Sequence, residues 1–158
     1  MIIIGSDHTG IKLKEEIINY FKKDNIIVLD VNQNILEDSI DYPDIAKLIG
    51  TEVNKNKENL GIAICGTGIG ISIACNKIKG IRAALCVDEY MSSMARKHNN
   101  ANILCIGARN KSSENIENVF KILDGFFNNE FEGGRHQERL KKINSIENEK
   151  IGDNKNDC

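Results

Sequence analysis

Short apolar runs alternate with amphipathic stretches along the chain. Met1 to Ile4 is an apolar run closed by Gly5-Ser6-Asp7-His8, the pattern of a buried strand ending in a turn. Leu13, Ile17, Ile18 and Phe21 then recur at helical spacing among lysines and glutamates, so a helix follows. Ile26 to Leu29 reads as a second strand, and Asp30 to Tyr42 as a polar connection ending at Pro43, the only proline, which biases Tyr42 to an extended backbone. Ile45 to Val53 supplies a helix, and Leu60 to Cys65 a third strand with a helix expected from Ile71. Arg82 to Val87 is a fourth strand. Asp88 is placed to cap the helix carrying Met91, Met94 and Ala95, and Asn102 to Ile106 is a fifth strand. Ser112 or Ser113 would cap the next helix, with Ile116, Val119, Phe120, Leu123 and Phe127 along one face. Unbroken alternation of this kind implies a parallel sheet with helices on both faces and right-handed crossovers.

After Gly133-Gly134 a last helical stretch, Arg135 to about Glu149, carries few apolar residues: Leu140, Ile143 and Ile146. Five strand–helix units already complete a domain of this size. Residues 134–149 are therefore expected to form a C-terminal helical arm packing on a partner subunit, and residues 151–158, which are polar, a disordered tail. Residues 1–150 read as one domain.

Length and composition narrow the classes. A chain of 158 residues buries about 68 to 70% of its unfolded surface, enough for a core without staples. Charged content of 28% and a net charge of -2 give no basic excess for nucleic acid. The five cysteines, Cys65, Cys75, Cys86, Cys105 and Cys158, form no CxxC pair, which argues against a disulfide framework and a zinc site and for a reducing cytoplasm. No basic n-region precedes Ile2-Ile3-Ile4 and no apolar run approaches membrane-spanning length, so neither a signal peptide nor a membrane partner is expected.

Candidate chemistry centres on Leu60 to Ile71. A buried strand runs into Cys65, and Gly66, Gly68 and Gly70 then alternate, so backbone amides can approach a ligand where side chains would block it. A helix starting there would favour anions and depress a thiol's pKa. The spacing is wrong for a dinucleotide fingerprint or a P-loop, and position 71 is Ile where a cysteine phosphatase needs an arginine. A packed strand thiol is the plainer reading of any one cysteine. His98 ends a helix at helical spacing from Met91, Met94 and Ala95, where a core histidine is the plainer reading, although Asn99 and Asn100 break the apolar pattern. Asp7 and His8 end the first strand, and Arg109 the fifth. Arg135 and Arg139, four apart, share a helix face and suit a phosphate, or else belong to a solvated basic face with Lys141 and Lys142.

Seven segments taken together are specific: Gly5-Ser6-Asp7-His8, Asp41-Tyr42-Pro43, Cys65-Gly66-Thr67-Gly68-Ile69-Gly70-Ile71-Ser72, Gly80-Ile81-Arg82-Ala83, His98-Asn99-Asn100, Gly107-Ala108-Arg109 and Glu132-Gly133-Gly134-Arg135-His136-Gln137. With them the chain, from Ile2 to about Glu149, closely resembles the type B ribose-5-phosphate isomerases and the related galactose-6-phosphate isomerase subunits. The resemblance implies a Rossmann-like three-layer α/β/α sandwich with a five-stranded parallel sheet, and a homodimer, sometimes paired into tetramers, with shared active sites. It implies a cofactor-free and metal-free aldose–ketose isomerisation of ribose 5-phosphate and ribulose 5-phosphate, a step of the pentose phosphate pathway. On the matching positions it makes Cys65 the general base, His98 the ring-opening residue with Asp7 nearby, and Thr67 an aid at the enediolate. Tyr42, Gly66, Gly68, Ile69 and Gly70 fall on substrate-binding positions, His8, Arg135 and Arg139 on phosphate contacts, and Asn99 and Arg109 on sugar-oxygen contacts. A galactose-6-phosphate or allose-6-phosphate isomerase is the alternative within the class, and a non-catalytic phosphosugar-binding module the alternative outside it.

Overall fold

The structure, a computed structural model, describes residues 1–33 and 40–149. The tail expected to be disordered, and the middle of the connection after Asp30, lie outside the described residues. Strand β1 (Ile2–Ser6) is buried at every position and leads into α1 (Ile11–Lys23), which buries Ile17 and Phe21 and carries Lys22 and Lys23 in its last turn, where cations offset the helix dipole. Strand β2 (Val28–Asp30) is later and shorter than the apolar run suggested. Asn25, at φ 58°, turns the chain out of α1, and the Ile26 N–H donates to the Phe21 carbonyl, so Ile26 and Ile27 are spent on the turn and left exposed.

Helix α2 (Tyr42–Asn54) begins three residues before the expected Ile45. The extended residue is Asp41 (ψ 133°), and Tyr42 is helical, because Pro43 sits in the first turn, where its missing N–H costs nothing. Strand β3 (Leu60–Cys65) lies where the sequence puts it, and α3 (Ile69–Cys75) starts two residues early. Strand β4 (Ala83–Leu85) is trimmed at both ends because it is an edge strand, paired with β5 (Ile103–Gly107) alone. Between them Asp88 caps α4 (Glu89–Asn99) as expected, its carboxylate accepting from the Met91 N–H at 2.7 Å. The serine caps proposed for the next helix are not used. A single turn, α5 (Lys111–Glu114), intervenes, Ser113 donates its hydroxyl to the Gly107 carbonyl, and Asn115 caps α6 (Ile116–Phe127) by accepting from the Glu117 N–H. The fully buried side chains of α6 are Val119, Ile122, Leu123 and Phe126, while Ile116, Phe120 and Phe127 pack at the rim.

The sheet order is β2-β1-β3-β5-β4, parallel throughout. One apolar layer joins Ile4, Ile62, Ile64, Leu104 and Ile106 to α1, α4 and α6; the other joins Ile3, Ala63, Ile103 and Cys105 to α2 and α3. This is the expected three-layer α/β/α sandwich. Its connections reverse direction between β1 and β3, so their carboxyl ends frame the crevice where open α/β sheets bind ligands. Helix α7 (Arg135–Asn148) buries His136 and Leu140 against its own chain, accepts the Gly80 N–H at Glu147 Oε1 (2.8 Å), and leaves Ile143 and Ile146 exposed. Among the described residues no helix is long and apolar enough to cross a membrane.

Candidate active site

At the β1–β3 crevice the loop after Cys65 is built by its backbone. Gly68 has φ 77°, and a Cβ there would come within 2.9 Å of the Gly107 nitrogen, so only glycine closes this turn against β5. Its N–H then points back and donates to the Cys65 sulfur at 3.2 Å. Cys65 is 4% exposed and pairs with Gly107 at the end of the sheet. The Thr67 hydroxyl, on an exposed residue, accepts from the Ile69 N–H at 3.3 Å, and the Thr67 carbonyl is held by Asn110 Nδ2 at 3.1 Å. Ile69 is exposed beside the loop. Tyr42 lies so close over Gly70 that a Cβ there would meet the ring at 2.7 Å.

Asp7 crosses the crevice: its N–H donates to the Ile64 carbonyl, and its buried Oδ1 accepts from Thr9 N–H (2.9 Å) and Thr9 Oγ1 (2.6 Å). Thr9 and Arg109 flank Gly66, the Arg109 N–H donating to the Gly66 carbonyl at 2.8 Å. His8 is exposed at the mouth of a cavity of about 600 Å³ shared with Asp7, Lys14 and Asn32. The structure thus brings together Asp7, Tyr42, Cys65, the Gly66–Gly70 loop and Arg109, while His8 adjoins Asp7 in a neighbouring cavity that Cys65 and the glycine loop do not line.

His98, Asn99, Arg135 and Arg139 are elsewhere. The resemblance puts Asp7 near His98; within one chain α4 starts at the carboxyl ends of the strands and runs back, so His98 sits at their amino ends, away from Asp7. Arg82 Nε, just before β4, donates to the Asn99 and Asn100 carbonyls, and the Asn102 N–H donates to the Arg82 carbonyl where β5 begins. From Ile103 to Gly107 the sheet then rises about 13 Å before it reaches the level of Cys65. At the amino end the His98 and His136 rings stack at 4.1 Å and 9°, Glu132 Oε2 lies 3.9 Å from His98 Nε2, and Arg135 Nε donates to His136 Nε2 at 3.4 Å. Burial, then the charges of His98, Arg135 and Arg139, push the His136 imidazole below its ordinary value. Arg139 follows one turn after Arg135, and both are exposed. The ligating atoms of His98, Glu132 and His136 lie within 4.8 Å of one another, a spacing two imidazoles and a carboxylate could close on a metal, but the neighbouring guanidinium groups make this a place for anions.

Three residues that the sequence did not single out hold these groups in place. Thr9 orients Asp7, and the Asp-x-Thr spacing was the available signal. Asn110 fixes Thr67, and His136 backs His98, although neither position has a local pattern that foretells it.

A model of the family described as Ribose/Galactose Isomerase matches residues 2–143. The chain belongs to the ribose/galactose isomerase family. A probable ribose-5-phosphate isomerase B of Mycoplasma genitalium is 47% identical over 150 residues, 94% of this chain and 96% of that protein. The ribose-5-phosphate isomerase B of Escherichia coli is 39% identical over 92% of this chain and 95% of its own. Among solved structures of the family, ribose-5-phosphate isomerase B from M. genitalium with bound ribulose-5-phosphate superposes with a TM-score of 0.86 at 45% identity, covering 94% of this chain and 97% of that one.

Proposed function

We propose that this protein interconverts ribose 5-phosphate and ribulose 5-phosphate at a site assembled from two copies of the chain. The observation that carries the reading is the Cys65 sulfur, buried at the end of β3 and held by the Gly68 amide where the glycine loop begins, in a chain whose relatives bear the isomerase name. Because His98, Asn99, Arg135 and Arg139 lie a sheet's length from Cys65, a partner's amino-end group has to meet this chain's carboxyl-end group. The exposed apolar residues Ile69, Ile73, Tyr90 and Met91 on α3 and α4, and Ile143 and Ile146 on the arm, offer surface for that pairing.

Ring opening comes first: His98 of one copy gives a proton to the ring oxygen and takes one from the anomeric hydroxyl. The Cys65 thiolate then removes the C2 proton of the open aldose. The electron pair moves to the C1 oxygen, giving an enediolate. The Gly66 and Gly70 amides of the loop, with the Thr67 hydroxyl and Asn99, stabilise its charge, a contribution of about 2.7 to 4 kcal/mol per well-placed donor, while the Gly68 N–H stays on the Cys65 sulfur. The thiol returns the proton to C1 as a proton passes from O2 to O1, leaving the ketose. His8, Arg135 and Arg139 bind the non-reacting phosphate, whose binding energy fixes the sugar over the base. Asp7, Tyr42, Ile69 and Arg109 shape the sugar side. The buried free thiols Cys65, Cys75, Cys86 and Cys105 suit a reducing cytoplasm.

A comparison of kcat/KM for ribose 5-phosphate, allose 6-phosphate and galactose 6-phosphate tests this. Preference for the five-carbon sugar is expected. Preference for a six-carbon sugar would move the reading to the alternative isomerases, and binding without turnover would make the protein a phosphosugar-binding module.

A further inference from the structure

A second polar concavity, of about 300 Å³, opens at the amino edge of the sheet between α2, α4 and the segment before β4. Lys57, Arg82, Arg96, Asn56, Asn100 and Asn102 line it, and among the described residues no carboxylate does. Arg82 and Arg96 are both half-buried, and burial pushes both guanidinium groups below their ordinary value; at Arg96 the charge of Arg82 adds to this. Neither is ion-paired among the described residues. Glu147 and Glu130 act on them only from a distance, and Glu147 already accepts the Gly80 N–H.

Their hydrogen bonds are incomplete as well. Arg82 spends Nε on the Asn99 and Asn100 carbonyls, and its two terminal nitrogens have no acceptor among the described residues. Arg96 uses Nη1 on Asn100 Oδ1 (3.1 Å) and the Ala101 carbonyl (2.6 Å) and lies 5.5 Å over the Phe126 ring; its Nε is sealed from solvent and out of an anion's reach, so Nη2 is its donor without an acceptor among the described residues. Two mutually repelling guanidinium groups with unspent donors, taken partly out of water without a counter-charge, cost stability that a multivalent oxyanion returns.

We propose that this concavity binds a phosphate-class dianion, either inorganic phosphate or the phosphate group of a small ester, between Arg82, Arg96 and Lys57. Arg135 and Arg139 do not line it, so it is separate from the substrate phosphate contacts proposed above. Through Arg82 Nε the bound anion would also brace the two carbonyls that follow His98. Any effect on turnover rests on the isomerase reading; the binding does not.

The test uses the full chain with Arg135→Ala and Arg139→Ala, which removes both arginines of the proposed substrate phosphate site and leaves only His8 there. It is titrated with inorganic phosphate and, separately, with glycerol phosphate, while backbone amide resonances are followed. Saturable shifts at Gly80, Asn100 and Asn102 with either ligand support the site, and the tighter of the two identifies the natural source. Adding Lys57→Glu, at an exposed residue, weakens that binding by about tenfold or more. In a parallel arm, Arg82→Lys weakens it while leaving the melting temperature in ligand-free buffer near that of the parent. Unsaturable shifts, shifts confined to the Gly66–Gly70 loop, or equal affinity in the Lys57→Glu chain would overturn the proposal.

Discussion

The backbone N–H of Gly68 and the sulfur of Cys65 face each other at 3.2 Å, three residues apart, across a turn that needs a left-handed residue. A donor aimed at a sulfur at the end of a buried strand is an arrangement that packing alone does not require. Cys65→Ala is therefore expected to lower kcat for ribose 5-phosphate by about a thousandfold or more while leaving the melting temperature within a few degrees of the parent. Near-full turnover in that variant would remove Cys65 as the base.

Arg135→Ala is expected to raise KM for ribose 5-phosphate about tenfold or more with a much smaller change in kcat, because it removes binding to a group that does not react. Steady-state kinetics with the five-carbon substrate check this. An unchanged KM would take Arg135 out of the phosphate site.

Cys65 and His98 stand at opposite ends of one sheet, so two inactive chains should repair each other. Cys65→Ala and His98→Asn proteins, unfolded together and refolded as a mixture, are expected to regain about a quarter of parental activity through mixed dimers with one intact composite site. Mixing that restores nothing above the two separate variants would argue against a shared site.

Lys14 is 7% exposed and holds Asp30 at 2.9 Å and Asn32 Oδ1 at 3.1 Å beneath the Asp7–His8 cavity. Lys14→Met keeps the stem but leaves the Asp30 carboxylate largely buried and unpaired, and is expected to destabilise the fold by about 3 to 5 kcal/mol. Urea unfolding measures the loss. A double change, Lys14→Met with Asp30→Leu, should recover much of it.

The Tyr20 phenol, donating to Asp124 at 2.6 Å, is pushed from its ordinary 10.0 up to about 12, first by that hydrogen bond and then by burial. A raised acid pKa means the folded state holds its proton longer than the unfolded one. The associated stability is complete below pH 10 and is lost as pH rises through about 12. Tyrosinate absorbance should show an ionisation step near pH 12, and Tyr20→Phe should abolish it.

Residues that alternate in blocks were legible without coordinates. Leu60–Cys65, buried on both faces, and Asp88 at the start of α4 stand where their patterns put them, because a central strand and an N-cap are decided by local chemistry. The edge strands were not, since a strand with one neighbour is trimmed by whatever turn adjoins it, as Asn25 trims β2. The position of His98 follows from the same alternation: a crossover helix between two parallel strands runs back along the sheet, so a residue at the end of α4, just before β5, lies at the amino ends, away from Cys65. The stack of His98 on His136 was hidden, because the path of α7 joins them across 38 positions and no spacing in the sequence encodes it.

The strand order has one further result. On the shared-site reading, the sheet that separates the thiol from the stacked imidazoles keeps a single chain from uniting them by any hinge or lid, and a neighbour turned end for end offers one set to the other. On that same reading a newly synthesised chain, before it meets its twin, holds half of each of two reaction centres and the whole of neither, making encounter itself the step that switches the chemistry on.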